Sequence, residues 1–573
     1  MIGAKPVPGS DLIVAGFSPG HGQTEHEGAV FLVDPRAGPD DPAAARRISR
    51  TDNFRDPWAF SERWFLAAQD HSLVLLDDQG NTHDLHRLSA ADIQAGLHCH
   101  EPRPLLARPR EPSVPSRIRP AEATGRLLLA NVYEGRHLTG VTPGEIRKLL
   151  VLESLPKPIN FTGGMDPLSY GGTFTLERVL GTVPVEADGS AHFEVPALRS
   201  VFFVALDQDD LAVKRMQSFV TLQPGEVTGC VGCHEHRART PPTTDTLALP
   251  LAARRPPSRL EPIADSPDVF DFPRDIQPIL DEHCAGCHGY TATAQGGPYA
   301  GKLILTGDRG PMFSHSYLHL TVRRLFSDGR NEPVSNYAPR TLGSSASRIF
   351  QLTDGSHHGV QLTAAQKKLL RLWIETGAPY PGTYAALGSG MIGGYAQNEL
   401  VHTDFDWPTT KAGADVLERR CASCHTGIRT LPRALSDELD ISFWRFDLAD
   451  PRLQFSRHRL FNLTRPEHSL LLLAPLSTEA GGFGICAGQN SGAGFAATSD
   501  PDYQTLLAMV DAGRQYLAKI KRFDMPDFEP RPEWVREMKR YGVLAADLPA
   551  PERLDVYAIE QEYWRSFWYQ PPE

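Results

Sequence analysis

Phe270-Asp-Phe-Pro-Arg-Asp-Ile-Gln-Pro-Ile-Leu-Asp-Glu-His-Cys-Ala-Gly-Cys-His288 decides how the C-terminal half of this chain is read. A helical segment, Arg274 to His283, runs directly into Cys284-Ala-Gly-Cys287-His288. Two cysteines three positions apart can reach the two vinyl groups of one porphyrin, and the next residue is then held under the iron as an axial ligand. The entry recurs, since Phe405-Asp-Trp-Pro408 precedes a helical segment from Ala412 to Arg420 and then Cys421-Ala-Ser-Cys424-His425. A further motif, Cys230-Val-Gly-Cys233-His234, follows strands instead. With 8 Cys and 21 His in the chain, chance supplies roughly 0.004 such patterns, so three are no coincidence. Three covalent c-type haems are the expected cofactors, on Cys230 and Cys233, Cys284 and Cys287, and Cys421 and Cys424. His234, His288 and His425 are the expected iron ligands. Zinc is the competing reading, but it wants four ligands and each motif offers three.

Each helical unit also closes on a helix. Thr363-Ala-Ala-Gln366 is a capping box for a helix whose Leu369, Leu370, Trp373 and Ile374 share one face before Gly377 ends it. Asp500-Pro501 opens the corresponding helix of the last unit, with Leu506, Leu507 and Val510 on one face and an end expected near Gly513. A helix before the motif and another at the end is how small cytochrome c folds grip a haem. The sixth ligand decides between electron carriage and substrate binding. In the second unit Met312, His315, His319, His357 and His358 fall between motif and closing helix; His357 is favoured and His358 is next, against the alternative that both are ordinary loop histidines. In the third unit His458, with His468 beside it, is the candidate, and Met525 is the alternative. The first motif has no obvious sixth ligand, which leaves its iron open as a hypothesis.

The N-terminal half reads as strands. Leu12 to Phe17, Ala29 to Val33, Trp64 to Ala68 and Leu73 to Leu76 are spaced like propeller blades, with room for about two blades of ~40–45 residues each. Six prolines between Glu101 and Pro120 force an extended linker. Leu127 to Tyr133, Ile146 to Leu152, Val183 to Val185, His192 to Val195 and Val201 to Leu206 then suggest a small β-sandwich. The expected fold class is multidomain α+β: a partial β-propeller-like region, a β-sandwich-like middle domain, then mainly α cytochrome c-like domains. The expected segments are 1–100 propeller-like, 101–120 linker, 121–239 middle domain with the first haem, 240–262 linker, 263–385 and 400–520 cytochrome c-like with the second and third haems, and 521–573 a C-terminal extension.

Net charge is -11, with no long block of one sign, which argues against nucleic acid or anionic membrane as partners. No apolar run approaches the roughly 18–20 residues that span a bilayer. Haem is attached through thioethers outside the bacterial cytoplasm, so a periplasmic or otherwise extracytoplasmic location is expected. The first ten residues carry no secretory pattern, from which a missing or processed N-terminus is inferred. Cys99 and Cys486 are left over and are expected to stay unpaired. Asp207, Asp209, Asp210, Glu235 and Arg237 lie near the first motif in sequence, but charged turn residues are expected to be solvated. Catalytic residues are therefore unassigned.

Gly181-Thr-Val-Pro-Val-Glu-Ala-Asp-Gly-Ser190, Phe193-Glu-Val-Pro196 and Met216-Gln-Ser-Phe-Val-Thr-Leu-Gln-Pro-Gly225, leading into the first motif, resemble the middle domain of the hydrazine synthase alpha subunit. Val30-Phe-Leu-Val-Asp-Pro35 and Glu101-Pro-Arg-Pro-Leu105 look like the last blades and exit of that subunit's propeller, and the second unit looks like its cytochrome c domain. The resemblance spans residues 12–385. It implies a propeller, a β-rich domain holding an active-site haem, a following electron-transfer haem with two histidine ligands, and small inorganic nitrogen compounds as substrate class. In the family's catalytic subunit a tyrosine four residues after the motif histidine ligates the iron and that histidine is turned to zinc. Here the position is Ala238, which returns His234 to the iron, and the third haem unit is additional. The leading expectation is an exported trihaem electron carrier with a redox partner protein. A haem oxidoreductase acting at an open first haem is the alternative, and the β-rich N-terminal half is a further candidate docking platform.

Overall fold

A computed structural model describes residues 1–20, 26–37, 42–107, 110, 112–159, 168–170, 175–233, 249–294, 296–329, 336–388, 392, 403–441, 447–486, 494–548 and 553–572. Met1–Ser116 form one compact unit, and the described chain from Arg117 onward forms a second. In the first, β1 (Ile2–Pro6), β2 (Ile13–Phe17), β3 (Ala29–Val33) and β4 (Ala45–Arg47) make an antiparallel sheet in sequence order. β5 (Phe54–Ala59), β6 (Trp64–Gln69), β7 (Ser72–Asp77) and β8 (Thr82–Arg87) make a second in the same way. A four-stranded meander is the pattern of a propeller blade, so two blade-like sheets answer the partial-propeller expectation. Alternation drives them: β7 turns Val74 and Leu76 inward and Val30, Leu32, Phe54 and Phe65 join them in the core. The outermost strand, β8, is exposed along its length. It has no apolar alternation, which is why the sequence did not reveal it. A short helix, α1 (Ala90–Gln94), capped by Ser89, follows.

The second unit begins with two sheets. β9 (Thr124–Leu129), β10 (Lys148–Ser154), β11 (Glu177–Pro184), β12 (Ala191–Pro196), β13 (Val201–Leu206), β14 (Ala212–Arg215) and β15 (Val227–Cys230) sort into orders β11-β10-β13-β14 and β12-β9-β15. Leu127, Leu129, Val151, Val183, Phe193, Val195 and Val201 pack between them as the sandwich core. Parallel pairing of β15 on β9 sets Cys230 against Leu129. Asp207 is buried rather than solvated: its carboxylate accepts from the N–H groups of Asp209 and Leu211, closing the β13–β14 turn, and pairs with Arg340 at 3.0 Å. Asp210 is likewise paired, with Lys148 and Arg371.

From residue 272 the described chain is helical. A π turn over Phe272–Ile276 feeds α2 (Gln277–His283); α3 (His315–Val322) and α4 (Ala364–Glu375) follow. Then come α5 (Pro408–Arg420), α6 (Arg457–Leu460), α7 (Leu470–Leu473), α8 (Pro501–Ile520), α9 (Pro532–Arg540) and α10 (Val556–Arg565). The Thr363–Gln366 capping box is formed at the start of α4. The sandwich and the unit carrying the second Cys-x-x-Cys-His motif share one core, in which Leu150, Leu152 and Phe202 lie among Phe272, Tyr317, Trp373 and Tyr380. The C-terminal extension is fixed to this body. Buried Glu560 on α10 accepts from Trp534 Nε1 at 2.7 Å and from the backbone of Tyr384 and Ala385. Among the described residues no helix is long and apolar enough to cross a membrane.

Two sequence readings change here. Gly513 does not end the last closing helix: α8 runs on to Ile520 and stops at Lys521, which is left-handed with φ 48°. A Cβ at Gly513 would lie 2.4 Å from Leu435 Cδ1, so this glycine permits close packing mid-helix. The two Phe-Asp-aromatic-Pro entries are also not equivalent in space. Asp271 is buried and accepts from Arg274 N, Gly382 N and Tyr557 Oη. Asp406 is 99% exposed, and the buried carboxylate of the third unit is Asp404.

Candidate haem-binding sites

The second and third motifs fold alike. In the second, Cys284 N and Ala285 N bond Leu280 O, and Cys287 N and His288 N bond Cys284 O. In the third, Cys421 N and Ala422 N bond Leu417 O, and Cys424 N and His425 N bond Cys421 O. Each motif therefore continues the last turn of its helix, α2 or α5, and this brings both thiols and the imidazole to one end. Burial pushes the Cys284 thiol up to about 11, with Cys287 adding, and does the same to Cys421, beside Cys486. Both thiols stay protonated near neutral pH.

The imidazoles are oriented the same way too. His288 Nδ1 donates to Ala300 O at 2.9 Å, and His425 Nδ1 donates to Arg429 O at 3.0 Å. A backbone carbonyl on one ring nitrogen fixes the tautomer and leaves Nε2 with its lone pair outward, as in metal-binding histidines. His357 faces His288 with ring centres 6.0 Å apart and planes within 10°. His358 stands edge-on to His357 at 4.8 Å and does not face His288 in a ring contact. Small residues keep the surroundings open: a Cβ at Gly296, whose φ is 143°, would crowd Cys287 Sγ at 3.2 Å, and one at Gly301 would sit 3.8 Å from His288 Cε1. These features fit a flat iron macrocycle held by Cys284, Cys287, His288 and His357.

Other candidates are placed elsewhere. Met312 is wholly buried in the apolar core. His315 Nε2 bonds Phe461 O, and His319 Nδ1 accepts from Ile304 N. In the third unit, the ring contact of His425 among the described residues is with Phe455, edge-on at 5.5 Å. Buried His458 instead lies 3.3 Å from Glu438 and edge-on to Tyr170. Burial opposes ionisation of Glu438, but Arg457 and His458 outweigh it and hold this carboxyl down at about 2. His468 packs on Tyr290 at 5.1 Å, and Met525 lies against the third unit's apolar core. Cys99 and Cys486 are free thiols, and Cys486 lies within electrostatic reach of Cys421 and Cys424. That proximity was invisible in the sequence, where about sixty residues separate them. Among the described residues no group of three or more His, Cys, Asp or Glu side chains is arranged to hold a metal ion.

The first motif is built differently. Cys230 ends β15, and the loop after β9 extends the ladder: Ala130 N and Asn131 N bond Cys230 O and Val231 O, and Cys233 N bonds Glu134 O at 2.7 Å. Two glycines interlock there. A Cβ at Gly135 would lie 1.9 Å from Cys233 O, and one at Gly232 2.1 Å from Glu134 O. Buried Lys214 gives its ammonium to the carbonyls of His137 and Tyr337 and is held below the ordinary lysine value by burial, with Cys233 favouring its charge. His234, Glu235, Arg237 and Ala238 lie outside the described residues.

Residues 144–235 match the family described as the hydrazine synthase alpha subunit middle domain. This chain resembles that family. The matched stretch contains the sandwich strands from β10 onward and closes on the first Cys-x-x-Cys-His, as the sequence resemblance implied. Among solved structures, a chain of the Kuenenia stuttgartiensis Hydrazine Synthase is similar, with 16% identity and a TM-score of 0.49. The similarity covers 66% of this chain and 61% of that one. No curated protein matches.

Proposed function

We propose that this chain is an exported c-type cytochrome with three covalently attached haems, carrying electrons to or from a protein partner. The His288–His357 pair carries the reading: their imidazoles lie 6.0 Å apart with near-parallel planes, both would be available to hold one haem, and an iron held by two histidines would transfer electrons rather than bind substrate. Cys284 and Cys287 would hold one haem, Cys421, Cys424 and His425 another, and Cys230, Cys233 and His234 the first. Bound haem supplies a one-electron iron couple. The chain's own part is to orient the ligand histidines through Ala300 O and Arg429 O and to wall the sites with packed aromatic and aliphatic side chains. Thioether attachment argues for a periplasmic or otherwise extracytoplasmic location. Resemblance to a protein named as a subunit supports assembly with further chains, for which the blade-like sheets are a candidate docking surface.

The match of residues 144–235 favours a second reading, a haem oxidoreductase acting on a small inorganic nitrogen compound at an open first haem, since that stretch ends on the first motif. One experiment separates the two. The chain is exported in a host that matures haem c, its mass is measured, and its reduced spectrum is recorded with and without carbon monoxide. Three haems and no carbon monoxide shift support the carrier. A shift in about a third of the haem, abolished by replacing Cys230 and Cys233 with alanine, supports the enzyme. A mass without covalent haem sinks both.

A further inference from the structure

Two buried donors, on Arg459 and His319, have no acceptor. Arg459, on α6 and 9% exposed, gives one terminal nitrogen to the Tyr299 hydroxyl and the other to Gln454, while its Nε is buried without a hydrogen-bond partner. Among the described residues no carboxylate pairs with this guanidinium. His319, on α3 and 1% exposed, accepts from Ile304 N through Nδ1, so its Nε2 carries the proton, and that nitrogen is unpartnered as well. Burial first, then Arg459, His315, Arg323 and His288, keep His319 neutral, so Arg459 and His288 each lie within electrostatic reach of His319. Buried donors in folded proteins are almost always paired, and an uncompensated buried guanidinium is costlier still. The pair thus calls for an anion.

The location says which anion. Tyr299, bonded to Arg459, donates its own N–H to Gly289 O at 2.7 Å, and the next residue supplies the carbonyl that orients His288. Arg459 follows Phe455, the ring that meets His425, by four positions. It therefore belongs to the third unit yet reaches the second motif. Resting on the haem reading above, we propose that Arg459 and His319 seat a carboxylate of the haem bound at Cys284 and Cys287, and that the charge of Arg459 sets this haem's reduction potential from the neighbouring unit. A fixed positive charge favours the reduced iron, which carries one positive charge fewer.

The test uses the full holoprotein, with the haem in question identified by the low-spin signal that His357→Ala abolishes. In Arg459→Gln its midpoint falls, so that at the parent's midpoint the reduced-to-oxidised ratio drops about tenfold, about 59 mV for one electron. Arg459→Lys stays near the parent, and His319→Phe moves the midpoint in the same direction by less. An unchanged midpoint in Arg459→Gln at full haem content overturns this inference alone. A parent midpoint that follows added inorganic phosphate puts a free anion in the seat and also overturns it. Absence of covalent haem at Cys284 and Cys287 overturns this inference together with the haem reading.

Discussion

Replacing Asp404 with alanine removes an acceptor on which the start of the unit carrying the third Cys-x-x-Cys-His motif converges. Its wholly buried carboxylate accepts from Thr410 Oγ1 at 2.8 Å, Leu435 N at 2.8 Å, Ser436 N at 2.9 Å and Ser436 Oγ at 2.6 Å. The two hydroxyls can turn to other acceptors, but the two backbone N–H groups cannot move. Each stranded buried donor costs about 1–3 kcal/mol, so the change should cost about 2–6 kcal/mol. That is a large part of the ~5–15 kcal/mol by which domains are stable. Asp404→Asn should fall between, since it keeps one acceptor oxygen. Asp406→Ala, at the position the sequence repeat aligns with Asp271, should be silent, because Asp406 is exposed and its ion pair among the described residues is with exposed Lys411. Urea unfolding of the holoprotein followed by circular dichroism measures the differences, and covalent haem at Cys421 and Cys424 should fall with Asp404→Ala, since α5 carries that motif. Equal midpoints for Asp404→Ala and Asp406→Ala would refute the reasoning.

Further outcomes can be checked. On the proposed trihaem reading, His357→Ala should open one iron, and carbon monoxide should shift about a third more of the reduced haem than in the parent; an unchanged spectrum would remove His357 from the proposed ligands. Gly513→Ala should destabilise by about 1–3 kcal/mol in thermal unfolding, although alanine is the better helix former, because its Cβ would strike Leu435 and Leu463. Burial pushes Glu560 up from 4.5 to about 7, against the hydrogen bonds it accepts. The folded state holds this proton more tightly than the unfolded one, so the stabilising contribution is present below pH 4.5 and is lost as pH rises through about 7. Fluorescence of Trp534 and Trp564 should therefore report weaker docking of α9 and α10 as pH climbs through that window, and Glu560→Gln should flatten the dependence.

Sequence by itself determined what depends on near neighbours. Three Cys-x-x-Cys-His motifs, the Thr363–Gln366 capping box, the Pro-initiated helix α8, the apolar runs of β3 and β13 and the alternation in β7 are local patterns, with partners a few residues away. The middle-domain resemblance is of the same kind, a contiguous stretch. Tertiary structure decided everything carried by long-range packing. It set His357 across from His288, turned His458 toward Glu438 and brought Cys486 to the third motif. It buried Asp404 rather than Asp406, and it pressed Gly513 against Leu435. A residue's type fixes what it can bond, but burial and the facing side chain come from segments tens to hundreds of positions away. No local period encodes them.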